Sequence, residues 1–392
     1  MDSIRAFLKR APAILVLHTL RTIFSMPPLA ARLLIAGFTA PTQSQQRWIK
    51  HVDTDIWKGA YIAHDINECS DAEAIRRVQN ADLVIFEVHG GGFIAGHCTV
   101  FMDVFIRWLE LLKEKHNINA VIMSIEYGLA PQVKYPVPVF ECVRAYEYLT
   151  TTLKVPGSRI LISGDSAGGA LCLETLVRFY APGILVDHDA PRENFTVDLP
   201  AGMVLVSPLV SGEVSEWRWD ASADMVTPML AQRVLKDYLD LPNVNPDDLP
   251  ILRLRNISKD YHRFAPRNLV IFVGEREVMR DDILNLANNV KIQGTMNVEI
   301  CREDYPHDWF LIRELVPLKD KPMLDRYDHF IADFAARVLE EARVDRAKEG
   351  TELCQSNDDD VIETLSLEMD PKQTGAVASV QVSSTTTTML AV

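Results

Sequence analysis

Gly164-Asp165-Ser166-Ala167-Gly168-Gly169 stands between an aliphatic run, Arg159 to Ser163 (RILIS), and a stretch from Ala167 to Tyr180 (AGGALCLETLVRFY) whose apolar residues recur at helical spacing. The order is strand, tight turn, helix. Glycines on both sides of the serine fit a turn too tight for Cβ atoms, one that forces its centre into a strained backbone region and lifts the Ser166 hydroxyl clear of the sheet. Such a serine is placed to attack.

Roughly 75 residues upstream, His89-Gly90-Gly91-Gly92 follows a second apolar run that reads as a buried strand. Its glycine-rich backbone can aim N–H groups, together with that of Ala167, at the oxyanion of an acyl-transfer intermediate. A phosphate-binding turn is the rival reading, but neither a GxxxxGK[ST] nor a GxGxxG pattern accompanies it.

A nucleophilic serine needs a base and an orienting carboxylate, in the chain order Ser, Asp or Glu, His when the serine lies on this kind of turn. His188, His262 and His307 follow Ser166. His307 lies in Tyr305-Pro306-His307-Asp308-Trp309-Phe310, just beyond the strand-like NVEICR of 297–302, where open α/β sheets place their sites. The carboxylate belongs on the loop after the preceding strand, NLVIFV of 268–273, and there Glu275, Glu277, Asp281 and Asp282 compete. Asp281 and Asp282 precede a helical pattern and suit capping. Glu277 precedes the apolar pair Val278-Met279, which can anchor it, so Glu277 is the expected acid and Asp281 the alternative.

These motifs make the chain resemble the hormone-sensitive-lipase-like branch of the α/β-hydrolase superfamily. HGGGF at His89 to Phe93 and GDSAGG at Gly164 to Gly169 carry the resemblance. Tyr127-Gly128-Leu129-Ala130-Pro131 is similar to the family's YRLAP segment with glycine for arginine, Ser207-Pro208 to its SP pair, and Glu277-Val278-Met279-Arg280-Asp281 to its DPLRD segment. The resemblance covers roughly residues 50 to 345. It implies an α/β fold with a mostly parallel central sheet flanked by helices and a helical cap. It implies an oxyanion hole built from Gly91, Gly92 and Ala167, with Gly90 shaping the turn and His89 bracing it. It also implies cleavage of short acyl, acetyl or aryl esters of small apolar metabolites, fungal metabolite and steryl esters included, with no cofactor or metal. Relatives on the same fold act as ligand receptors or as dehydratases, so a silent receptor and a lyase remain alternatives, and the motifs do not separate esters from amides.

The 392 residues allow one catalytic domain, expected over 51–348 with a cap insertion at 213–264 where Trp217, Trp219, Met225, Met229 and Leu230 offer an apolar wall. The net charge of −14 disfavours nucleic acid as a partner. Six cysteines without CxxC spacing indicate neither a zinc site nor a disulfide framework, and a reducing compartment is expected.

Charge is uneven. Residues 3–52 hold seven bases and no acid. This segment, numbered 1–50 here, reads as a cap over the site, an interfacial helix that touches a membrane through residues 1–40, or a mitochondrial presequence; Ile4, Phe7, Leu8, Ala11 and Leu15 recur at helical spacing. Its apolar stretch is interrupted by His18, Arg21, Pro27-Pro28 and Arg32 and does not read as a membrane span. A cytoplasmic or membrane-associated location follows. From about residue 349 the pattern decays towards Asp358-Asp359-Asp360 and a serine and threonine run, the composition of a disordered tail. Before it, 324–344 has the spacing of a closing helix, with Phe330, Ile331, Phe334 and Val338 inward. Oligomeric state is not legible.

Overall fold

The computed structural model describes residues 10–185, 197–212, 223–239 and 261–366, with side chains as far as residue 346. Among the described residues eight strands form one sheet: β1 (Ile49–Asp53), β2 (Lys58–Ile62), β3 (Leu83–Val88), β4 (Ala120–Ile125), β5 (Ile160–Asp165), β6 (Gly202–Val206), β7 (Asn268–Gly274) and β8 (Asn297–Glu303). Their order is β1-β2-β4-β3-β5-β6-β7-β8. Only the pairs β1 with β2 and β2 with β4 are antiparallel. The rest run parallel, so the strands from β3 to β8 deliver their C-terminal ends to one edge.

The helices are α1 (Ala13–Ser25), α2 (Pro28–Thr39), α3 (Gln43–Gln46), α4 (Asp71–Gln79), α5 (Met102–His116), α6 (Val137–Glu147), α7 (Ser166–Tyr180), α8 (Pro228–Leu239), α9 (Arg280–Ile292) and α10 (Lys321–Ser366). Successive side chains of a strand point to opposite faces, and the inner strands are apolar on both. Val84, Phe86 and Val88 of β3 join α4, α6, α7 and α9 in one core. Leu83 and Ile85 join α5 and α10 in another. The same alternation divides β5, β6 and β7, and three layers result.

The expected closing helix is present, and Ile331, Phe334 and Val338 are buried in the second core while Phe330 packs against it. Its backbone continues helical to Ser366, past residue 349 where the tail was expected to begin. The stretch 345–366 holds no proline and a single glycine, so nothing in it breaks a helix as proline would. Residues 367–392 lie outside the described residues. The chain divides into two compact units, Met1–Arg343 and Val344–Val392, and every side chain discussed below belongs to the first.

Candidate active site

Ser166 is the first residue of α7 and has φ +47°, in the left-handed region that side chains other than glycine avoid. The chain leaves β5 and turns at once into the helix, and Gly168 lets that helix reach the end of β3: a Cβ there would stand 2.0 Å from the Val88 carbonyl oxygen. Ser166 Oγ lies 2.9 Å from His307 Nε2. His307 Nδ1 lies 3.1 Å from Glu277 Oε2. These residues come from the loops after β5, β8 and β7, at the C-terminal edge of the parallel sheet.

Each is held by its neighbours. Trp309 and Phe310 follow His307 into the core, where Phe310 stacks on Phe272 of β7 with centroids 4.1 Å apart and planes at 4°. Truncating such a ring costs about 3–5 kcal/mol, so the loop that carries the imidazole is anchored firmly. Glu277 accepts the Gly274 N–H at 3.2 Å, and Val278 and Met279 behind it are buried. The competing Asp281 faces Arg280 at 2.8 Å. His329, also downstream of Ser166, faces Asp325 at 3.7 Å on α10.

Burial raises the Glu277 carboxyl above its usual range, against hydrogen bonds from His307 and Ser207 that favour its charged form. Burial alone would lower the His307 ring, but the carboxylates of Asp308 and Glu277 outweigh it and hold the imidazole well above its ordinary value. The buried Asp165 is likewise raised, by desolvation and then by Asp308 and Glu87.

In the glycine loop, Gly91 and Gly92 have φ of +102° and +61°, which glycine alone adopts easily. Among the described residues no hydrogen bond is made by the N–H of Gly91, Gly92 or Ala167, so all three remain as donors. Gly90 differs. Expected to shape the turn of the oxyanion hole, it donates its N–H to Asp165 Oδ1 at 2.8 Å and so ties the two loops together. His89 stacks on Tyr127 at 4.4 Å and its Nδ1 contacts the Gly90 carbonyl at 2.8 Å, while Nε2 has no partner among the described residues. One ring nitrogen braces the loop, not both.

Three carboxylates near the imidazole escaped sequence reasoning in this role. Asp224 accepts N–H groups from Met225 at 2.7 Å, Val278 at 3.0 Å and His307 at 3.0 Å. Asp165 holds Gly90, as above. Asp308 stands with Oδ2 at 3.1 Å from His307 Nε2. Adjacency to His307 was the one signal for Asp308; Asp224 carries no motif.

A cavity of about 500 Å³ opens on Ser166 and His307. Val16, Leu20 and Ile23 of α1, Ile35 and Phe38 of α2, and Leu230 and Val234 of α8 line it. Met225 and Leu230 take the wall positions expected for them, but Met229 points outward at 80% exposure, and Trp217 and Trp219 lie outside the described residues. Of the N-terminal residues at helical spacing, Ala11 packs against the buried Val16 and Leu17 and Leu15 is exposed, while Ile4, Phe7 and Leu8 lie outside the described residues. No helix among the described residues is long and apolar enough to cross a membrane, and these residues hold no cluster of groups able to bind a metal ion.

A family model described as the alpha/beta hydrolase fold matches residues 85–311. Hormone-sensitive lipase of Bos taurus is 25% identical over 185 residues, covering 42% of this chain and 24% of that protein. A putative steryl acetyl hydrolase of Schizosaccharomyces pombe is 25% identical over 231 residues, covering 55% of this chain and 56% of that one. The chain thus spans 17% to 24% of the length of the hormone-sensitive lipases it matches. A crystal structure of a hormone-sensitive lipase from a metagenome library superposes with a TM-score of 0.62 at 20% identity, over 84% of this chain and 99% of that one, a likeness of fold. With the matched segment running from β3 through Ser166 and Glu277 to His307, the chain belongs to the α/β-hydrolase fold family.

Proposed function

We propose that the protein is a serine hydrolase that cleaves carboxylic esters of small apolar metabolites through an acyl-enzyme. The observation that carries this reading is the continuous line from Glu277 to His307 to Ser166, at 3.1 and 2.9 Å, opening into a cavity walled by aliphatic and phenyl side chains. Ser166 Oγ attacks the ester carbonyl while His307 Nε2 takes its proton, and Glu277 orients and stabilises the imidazolium. The N–H groups of Gly91, Gly92 and Ala167 receive the charge that develops on the carbonyl oxygen, and removal of one such donor costs about 100- to 1000-fold in turnover. His307 then protonates the leaving alcohol, and water repeats the sequence on the acyl group.

The roof of α1, α2 and α8 acts as the cap and selects for apolar acyl or ring-bearing groups. The name of the fission-yeast relative, a putative steryl acetyl hydrolase, fits that selection. Ile14, Leu15, Leu29 and Leu33 are exposed on the outer side of the same two N-terminal helices, which favours peripheral contact with an apolar or membrane surface.

The test is a panel of p-nitrophenyl esters of increasing acyl length, run with the wild type and Ser166→Ala, beside labelling by a fluorophosphonate. Stoichiometric labelling at Ser166 and turnover lost in Ser166→Ala are expected. A wild type that neither labels nor turns over any ester would favour a receptor, and product elimination without an acyl-enzyme in the mass spectrum would favour a lyase.

A further inference from the structure

Among the described residues His307 Nε2 has two oxygen neighbours, Ser166 Oγ at 2.9 Å and Asp308 Oδ2 at 3.1 Å. The second is not needed by a serine, base and acid arrangement, and it is built in firmly. Asp308 is 3% exposed and has φ +57°; its N–H donates to Ser207 Oγ at 3.1 Å, and its carbonyl accepts the N–H groups of Leu311 and Ile312 at 3.1 and 2.9 Å. Its other carboxylate oxygen, Oδ1, is buried with no partner among the described residues.

Proton counting gives this arrangement a meaning. With a neutral imidazole protonated on Nδ1 towards Glu277, the Nε2 lone pair can accept from the Ser166 hydroxyl, but it would face a carboxylate oxygen that has nothing to donate. With a proton on Nε2, that proton lies between Ser166 and Asp308, and the imidazolium is clamped by a carboxylate at each nitrogen. The second state matches both contacts. It is also unable to act as a base.

We propose that Asp308 is a positioning residue that holds His307 as an imidazolium in the resting site, so that a proton must leave Nε2 for solvent before Ser166 can be activated. This rests on the serine hydrolase reading above. Among the described residues the titratable groups that face the ring are Glu277 from the loop after β7, Asp224 from the segment before α8, Asp165 from the end of β5, and Asp308 from the ring's own loop. All four are acids, and Asp308 is the one at the nitrogen that must do the chemistry. The raised proton affinity of the imidazole agrees with this, with Asp308 the largest influence opposing burial.

The experiment is the pH dependence of kcat/KM from pH 5 to 9 for the wild type and Asp308→Asn with a water-soluble p-nitrophenyl ester. Asparagine tolerates the left-handed backbone, keeps the shape, and turns a donor towards the Nε2 lone pair, which favours the neutral ring. The acid limb of the wild type is expected above the ordinary imidazole value of about 6.5. In Asp308→Asn it should move down by one pH unit or more, a tenfold change in apparent proton affinity, whatever happens to the plateau. A structural role alone would lower the plateau and leave the limb in place. Asp308→Ser serves if the asparagine variant does not fold. A wild-type limb at or below the ordinary value, or a limb that both variants leave unmoved, overturns the proposal. A wild type that labels with fluorophosphonate and turns over ester while the limb stays fixed refutes this inference alone, whereas a wild type that does neither refutes the functional reading with it.

Discussion

The carboxylate of Asp224 accepts the backbone N–H of His307 at 3.0 Å, and through its other oxygen that of Val278 at 3.0 Å. One buried acid therefore joins the loop that carries the imidazole to the loop that carries Glu277, beneath the cavity roof. Replacing it by alanine strands three buried N–H donors, at a cost on the order of 3 kcal/mol in stability. It also loosens both loops, and a displacement near 1 Å at reacting groups costs about 100-fold. Asp224→Ala is expected to lower kcat by about that factor with little change in KM, read from ester kinetics and thermal melting together. Wild-type kcat in a folded variant would show that the loops hold their positions without it.

The φ of +47° at Ser166 predicts a conflict between stability and activity. A left-handed residue other than glycine carries roughly 1–2 kcal/mol of strain. Ser166→Gly and Ser166→Ala both remove the hydroxyl, but only glycine relieves the backbone. Denaturant unfolding should find Ser166→Gly more stable than Ser166→Ala by about 1 kcal/mol, with no ester turnover in either. Equal stabilities would mean the turn is not strained.

Arg233 on α8 donates to the carbonyls of Phe24, Ser25 and Met26, each at 2.8 Å, and so fixes the end of α1 over the cavity. Hydrogen bonds from a charged donor contribute about 1.5–3 kcal/mol. For Arg233→Ala, the KM for a long-chain ester should rise about tenfold while that for an acetyl ester changes little. A uniform change across the ester series would remove the roof from substrate selection.

Glu87 on β3 is buried, accepts a hydrogen bond from Ser124, and has its carboxyl pushed up to about 8 by desolvation. Its usual value is 4.5. Between these values the folded chain holds a proton that the unfolded chain has released, so its contribution to stability is full below about pH 4.5 and is lost as pH rises through about 8. Glu87→Gln should flatten the fall in stability across that window and exceed the wild type at pH 8 by a few kcal/mol, on the order of 1.4 for each tenfold difference in proton affinity between the folded and unfolded chain. Parallel stability curves from pH 5 to 8 would contradict this.

Much of the site could be read from local pattern because its chemistry depends on local geometry. A serine on a strained turn and a backbone N–H presented at a positive φ both require glycine close by, and Gly168, Gly91 and Gly92 are visible as letters. Glu277 was separated from Asp281 by the apolar pair behind it, and the packed Val278 and Met279 are the physical form of that signal. What stayed hidden depends on distant chain. Asp224 acts on backbone 54 and 83 residues away, and Gly90 loses its donor to Asp165, 75 residues on. Val16 and Leu17, buried on α1, were not among the N-terminal residues picked out by spacing, because their partners Met225 and Leu315 lie far along the chain.

The bonds from Arg233 to the end of α1 span 207 to 209 residues of sequence. During synthesis at about 5–20 residues per second, the first helices leave the ribosome roughly 10 to 40 seconds before the segment that covers them exists. Throughout that interval Val16 and Leu17 lack Met225 and Leu315, their partners in the finished fold, and a nascent chain stalled between residues 60 and 220 presents that part of α1 as an oily hook for the cell's chaperones.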